Sequence, residues 1–329
     1  MNKRRIRMQV CFAAVFLVLV LVMVYSGLRI LESTVFRPEP VTQTEPHASK
    51  TITRGDIAYF PRQDITVILV MGIDEEGPVV SSNYHRNTGA SDMVALLILD
   101  QTEECYRILC LNRDMMVRMP VLGLGGKYAG TVYAQLALSH TYGTGLEDSA
   151  ENTRKTVSDL LYGIGIDYYV AMNIDGIGIL NDAMGGVTVH VRDDFSQVDP
   201  TITKGKMLLN REQAITFVRS RKDVGTEMNL SRMDRQKEYM NGLADALKRK
   251  MEQSDTFAVD LYEQMDPYVV TDCSINTLSG LLQRCTDYEL TEVLSVEGRN
   301  VLTGEYFEFY ADEEAMDELI LDLFYAPKK

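Results

Sequence analysis

The chain has 329 residues, 46% hydrophobic and 24% charged, with a formal net charge of −14. That balance excludes an intrinsically disordered chain. The acidity excludes a general nucleic-acid binder, which needs a basic face to meet phosphate.

Residues 1–7 carry Lys3, Arg4, Arg5 and Arg7, and the uncharged apolar run MQVCFAAVFLVLVLVMVYSGL follows at 8–28. About 20 residues at 1.5 Å each span a bilayer core of about 30 Å. The cations ahead of the run predict a cytoplasmic tail and a single-pass signal anchor in the cell membrane, with the rest of the chain outside. A cleaved signal peptide is the other reading, but no A-x-A site follows the run. Residues 29–58, with Pro38, Pro40 and Pro46 among polar residues, predict an extended extracytoplasmic linker. Membrane attachment then rests on the anchor. The folded domain is expected over 59–329, with a core at about 64–250 and an extension at 251–329.

Three β-branched apolar runs, Ile65–Met71, Met93–Leu99 and Arg107–Leu111, predict strands covered on both faces. The short link 100–106 suits antiparallel neighbours, and the long polar loop 73–92 is expected to be functional. Helices are predicted at Thr131–His140, Ser149–Leu161, Ile174–Met184, Ser274–Gln283 and Asp312–Phe324. Strands are predicted at Asp167–Asn173, Val187–Val191 and Glu305–Tyr310. Interleaved strands and helices define an α/β class with a mixed central sheet flanked by helices.

One stretch, AITFVRSRKDVGTEMNLSRMDRQ at 214–236, sets five cations, Arg219, Arg221, Lys222, Arg232 and Arg235, in an acidic chain. Asn210 with Gln213 reads as a capping box that places Arg219 at a helix end. Ser231 with Asp234 reads as a second cap, which puts Arg232, Arg235 and Gln236 on one helix face. Arginine suits phosphate through its planar, permanently charged fork. A solvated cationic surface is the competing reading. If the first three strands form a meander, Asp74, Asp92 and Arg113 share one rim. Two aspartates there offer hard oxygen ligands suited to Mg²⁺, although Asp74 alone also fits a turn.

The five cysteines include Cys11 in the anchor and Cys105, Cys110, Cys273 and Cys285 beyond it; both disulfides and buried thiols fit.

Six segments in order resemble the LytR-CpsA-Psr family: ILVMGID at 68–74, SDMVALLILD at 91–100, LNRDMMVRMP at 111–120, 162–195, 204–223 and NLSRMDRQ at 229–236. The resemblance implies a membrane-anchored, extracytoplasmic, Mg²⁺-dependent phosphotransferase. Such an enzyme moves a glycan phosphate from a polyprenyl diphosphate carrier to peptidoglycan, as in attachment of teichoic acid or capsule-type polymers. By position, Asp74 and Asp92 match the metal-associated acids. Arg113, Arg219, Arg221, Arg232 and Gln236 match the diphosphate-binding residues; Asp92, Arg113, Arg219 and Arg221 are the expected catalytic set. Arg235 joins the binding group by spacing alone. The chain departs from the family at Asn229, where Asp is frequent, and at Gln135 and Ala137, where a Lys-x-Asn element is frequent. A non-catalytic polyprenyl-phosphate sensor and a diphosphate hydrolase are the alternative functions.

Overall fold

The computed structural model describes residues 51–220, 257–274, 288–304 and 306–327 without a break. It also describes 224, 235, 238, 239, 241–243, 245, 246, 249, 250, 253, 254, 277, 281 and 284. The expected anchor 8–28, Cys11, Cys285, Arg221, Lys222, Asp223, Asn229, Arg232, Asp234 and Gln236 lie outside the described residues. Among those that are described, no helix is long and apolar enough to cross a membrane.

The described chain opens with a hairpin of β1 (Ile52–Arg54) and β2 (Ile57–Pro61), so the stretch read as linker includes strand structure. Three long strands follow: β3 (Ile65–Ile73), β4 (Ser91–Asp100) and β5 (Cys105–Leu111). They pair antiparallel as the expected meander. Next come the hairpin β6 (Met116–Leu122) and β7 (Tyr128–Gln135), helix α1 (Glu147–Leu160), β8 (Tyr168–Asn173) and α2 (Asp175–Ala183). A further antiparallel pair, β9 (Val187–Val191) and β10 (Gly205–Leu209), leads into α3 (Arg211–Arg219). Beyond it lie α4 (Phe257–Met265), β11 (Val269–Thr271), β12 (Glu289–Ser295) and the hairpin β13 (Gly298–Thr303) with β14 (Tyr306–Ala311). Helix α5 (Glu313–Phe324) and β15 (Tyr325–Pro327), which pairs with β2, close the described chain.

The central sheet has the order β11-β8-β3-β4-β5-β12. Its β3–β8 and β5–β12 pairs are parallel and the others antiparallel, so the sheet is mixed. Successive side chains on a strand face opposite ways, and both faces of β3 are covered, which is why its sequence is apolar throughout. Val67, Leu69, Met71 and Ile73 join one core with Ala150 and Val157 of α1 and Ile320 and Leu323 of α5. Ile68 and Val70 join the other with Leu180 of α2, Phe217 of α3 and the helical residues Tyr239 and Leu243. Gly242 lies so close to β9 that an added Cβ would sit 2.1 Å from the Thr188 carbonyl oxygen, which only glycine permits. Cys105, Cys110 and Cys273 are free thiols.

The helix expected at Thr131–His140 is instead strand β7 followed by a 3₁₀ segment, Leu136–Thr141. Val132 and Ala134 alternate inward against the core while Thr131 and Tyr133 face out. Pairing with β6 overrides the helical spacing of the apolar residues.

Candidate functional site

Antiparallel pairing brings the end of β3, the start of β4 and the end of β5 to one rim. Gly72 is opposite Met93, and Val94 is opposite Leu111. Asp74, Asp92 and Arg113 therefore meet there. Arg113 donates from Nη1 to Asp92 Oδ1 and from Nε to Asp114 Oδ1 at 3.3 Å. Its backbone is held as well, since Ala137 N donates to the Arg113 carbonyl at 2.9 Å.

Arg219 reaches the same rim from the other side. The capping box is present: Asn210 accepts from Gln213 N, and Gln213 accepts from Asn210 N. This fixes where α3 begins and leaves Arg219 in its last turn. Arg219 Nη2 lies 3.0 Å from Asp74 Oδ1, and Nη1 donates to Glu76 Oε1 at 2.7 Å. The hydrogen bond to Glu76 and the charges of Asp74, Glu76 and Asp92 raise the pKa of Arg219 above the ordinary arginine value, against partial burial, which lowers it. Asp92 thus acts on both arginines, and the four residues expected to converge do so.

Arg235 does not join them. It is 4% exposed, and its guanidinium is committed inside the domain. Nε donates to the Phe217 carbonyl at 3.0 Å, Nη1 to Asp193 Oδ2 at 2.6 Å and Nη2 to the Ser220 carbonyl. The group also lies 5.5 Å from the Phe195 ring centroid. The diphosphate-binding role expected from helical spacing is corrected on this ground. Arg235 is a strut that ties down the backbone on both sides of Arg219. Glu76 and Asp114 were absent from the sequence expectations, although each lies within two residues of an expected site residue.

The loop between β3 and β4 is fastened at several points. Asp74 N donates to the Ala90 carbonyl at 2.9 Å, and Gly77 N to Asp175 Oδ2 at 2.6 Å. The Asn87 side-chain amide donates to the His140 and Gly143 carbonyls and to Ser149 Oγ. Buried His140 donates from Nδ1 to the Gly89 carbonyl at 2.8 Å, since a carbonyl can only accept. These bonds hold the two aspartates that bracket the loop in fixed relation.

At this rim, among the described residues, two guanidinium groups face four carboxylates. Asp74 and Asp92 are both partly exposed, and no group of three metal-ligating side chains occurs among the described residues. Two partly exposed carboxylates are the hard oxygen donors that suit Mg²⁺, which retains waters and completes its shell with phosphate oxygens.

A mixed α/β sheet with arginine–carboxylate pairs along one strand-end rim places its charged side chains where proteins of this class bind ligands. The LytR_cpsA_psr family profile matches residues 34–323, and the chain belongs to that family. The polyisoprenyl-teichoic acid–peptidoglycan teichoic acid transferase TagU of Oceanobacillus iheyensis is 24% identical over 326 residues, 95% of this chain and 92% of that protein. TagV of Bacillus subtilis, a transferase of the same name, is 27% identical over 277 residues, 81% of this chain and 65% of that protein. The crystal structure of B. subtilis TagV matches with a TM-score of 0.56 at 24% identity, covering 80% of this chain and 96% of that chain. The Streptococcus agalactiae protein gbs0355 matches with a TM-score of 0.61 at 21% identity, covering 79% and 86%. These superpositions establish the shared α/β fold.

Proposed function

We propose that the chain is a polyprenyl-diphosphate–glycan phosphotransferase that attaches a teichoic-acid or capsule-type polymer to peptidoglycan, working outside the cell from an anchor at 8–28. The observation that carries this reading is the meeting of Asp74, Asp92, Arg113 and Arg219 on one rim. The names of the relatives point to the same reaction.

On this reading Arg113 and Arg219 exchange carboxylate partners for phosphate oxygens, to which their forks are matched. An acceptor sugar hydroxyl attacks the phosphorus that bears the glycan. The bond from that phosphorus to the bridging oxygen breaks, and polyprenyl phosphate leaves with the electron pair. The two arginines stabilise the charge that spreads over the transferred group. Asp92, turned toward Arg113 at the rim, takes the hydroxyl proton. Mg²⁺ held by Asp74 and Asp92 would neutralise the diphosphate. Carboxylates are modest bases, so positioning and electrostatics supply most of the rate.

The test is incubation of the full-length protein in detergent with a polyprenyl-diphosphate-linked glycan and peptidoglycan. Polyprenyl phosphate together with glycan-labelled wall is the expected product pair. Release of lipid phosphate without labelled wall would make the chain a hydrolase, and donor binding without release would make it a sensor.

A further inference from the structure

We propose that the exposed face shared by the β6–β7 and β13–β14 hairpins is the platform on which the acceptor glycan lies while its hydroxyl reaches the Arg113 corner; this rests on the transferase reading. The two hairpins lie side by side. Met115 and Phe309, both buried, form a parallel bridge, and Phe309 N donates to the Asp114 carbonyl at 2.8 Å. Because these two residues point inward together, alternation turns Arg118, Tyr133 and Thr131 outward on one hairpin and Tyr306, Glu308 and Tyr310 outward on the other.

The outward residues are unusual for a surface. Tyr133 is 52% exposed and Tyr306 is 71% exposed. Tyr133 stands opposite Arg118 across the ladder, and Tyr310 stands opposite Arg299, whose guanidinium lies 6.0 Å from the Tyr310 ring centroid. The Met115–Phe309 bridge and the bond from Gln135 to the Phe307 carbonyl join the two hairpins across one seam. A tyrosine presents an apolar ring and a polar tip. A row of them, interleaved with guanidinium and hydroxyl groups, suits a ligand whose flat faces are C–H and whose rim is hydroxyl, which describes a sugar ring. Stacking of the sugar's C–H face on the exposed rings is the main contact, since the Tyr310 hydroxyl already donates to Glu308 Oε2 at 2.6 Å.

Continuity with the site selects this occupant over others. Gln135, at the end of β7, donates to the Phe307 carbonyl at 2.6 Å and to Asp114 Oδ1 at 3.3 Å. Asp114 in turn accepts from Arg113 Nε at 3.3 Å. One side-chain amide therefore clamps both hairpins to the residue beside the rim arginine. The face also balances Arg118 and Arg299 against Asp114 and Glu308, whereas the whole chain carries −14. A wall polymer that bears both amino-sugar and carboxylate groups is not repelled there.

The experiment measures acceptor kinetics and sedimentation with purified peptidoglycan for the full-length protein and the variants Tyr133→Ala, Tyr306→Ala, Tyr133→Phe and Tyr306→Phe. Each alanine variant is expected to raise the acceptor KM about fivefold to tenfold and to leave kcat and donor-lipid affinity unchanged. The phenylalanine variants keep the ring and retain near-normal KM, which a merely structural tyrosine hydroxyl would not predict. Wild-type sedimentation and KM in both alanine variants would overturn the platform. So would loss of self-association, by light scattering, with glycan binding intact, which would make the face a contact between copies. Glycan binding that depends on the tyrosines in a protein without transferase activity would uphold the platform and remove the proposed reaction.

Discussion

Arg235 Nε donates to the carbonyl of Phe217 at 3.0 Å, two residues before Arg219 in the same helix. The same guanidinium holds the Ser220 carbonyl and pairs with Asp193. A buried cation thus fixes both sides of the exposed one. Truncating it leaves Asp193 without its partner and two carbonyls without donors, and breaking a buried pair costs about 3–5 kcal/mol. Arg235→Ala is expected to lower the thermal midpoint by at least about 6 °C, measured by circular dichroism. A midpoint equal to wild type would show that the strut contributes nothing.

Arg113 and Arg219 are expected to behave in the opposite way. Both are partly exposed, and their carboxylate partners stay in reach of water. Pairs of that kind contribute about 0–1 kcal/mol to stability. Their alanine variants should unfold within about 3 °C of wild type, yet lose about 10²–10³-fold in transfer rate, the usual cost of removing one preorganised donor to developing charge. Near-normal turnover in either purified variant would count against the rim as the reaction centre.

How far the site could be read from residues alone depended on how local its causes were. The meander β3–β4–β5 was legible because each strand is apolar on both faces, and the three chain ends then had to share a rim. The capping box at Asn210 was legible because two side chains three residues apart determine it. Strand β7 was not, because Tyr133, Leu136 and Ala137 fall at helical spacing while Val132, Ala134 and Leu136 alternate as in a strand, and only the partner β6 decides between the two patterns. Arg235 was misplaced for the same reason: its spacing puts it on a face with Arg232 and Gln236, but Asp193 and the Phe217 carbonyl, distant in sequence, decide where it points. Glu76 and Asp114 entered only with coordinates, since a third and fourth acid beside an anion site has no signature of its own.

The two partly exposed aspartates at the rim give a metal prediction. Mg²⁺ alone should bind weakly, because Asp74 and Asp92 already have guanidinium partners. Mg²⁺ with a short-chain prenyl diphosphate should bind cooperatively, each bringing charge that the other needs. Thermal shift is expected to rise only with both added, and a ligand at about 100 times its Kd contributes about 2.7 kcal/mol. Asp74→Asn should raise the Mg²⁺ concentration for half-maximal shift by about tenfold, or 1.4 kcal/mol. An equal shift with diphosphate in the presence of a chelator would remove the metal from the scheme.

His140 supplies a pH prediction. It is 2% exposed, its Nδ1 donates to the Gly89 carbonyl, and its Nε2 has no hydrogen-bond partner among the described residues. Protonating Nε2 would leave a buried charged donor without an acceptor, and burial pushes the pKa down from 6.5 to about 4, against the Gly89 hydrogen bond and the charge of Asp148. The folded value is below the unfolded one, so the unfolded chain binds the extra proton first. Stability is complete above pH 6.5 and falls as pH drops toward about 4, by about 3 kcal/mol from this group. His140→Gln removes the titration and can still donate to the Gly89 carbonyl. The difference in unfolding free energy between wild type and this variant, from urea titrations, should therefore change over that window and stay flat from pH 7 to 8. Because carboxylates that titrate near pH 4 are common to both proteins, they cancel in the difference. A constant difference across the whole range would mean that folding leaves the His140 pKa unshifted, and that burial of the ring costs its charged form nothing.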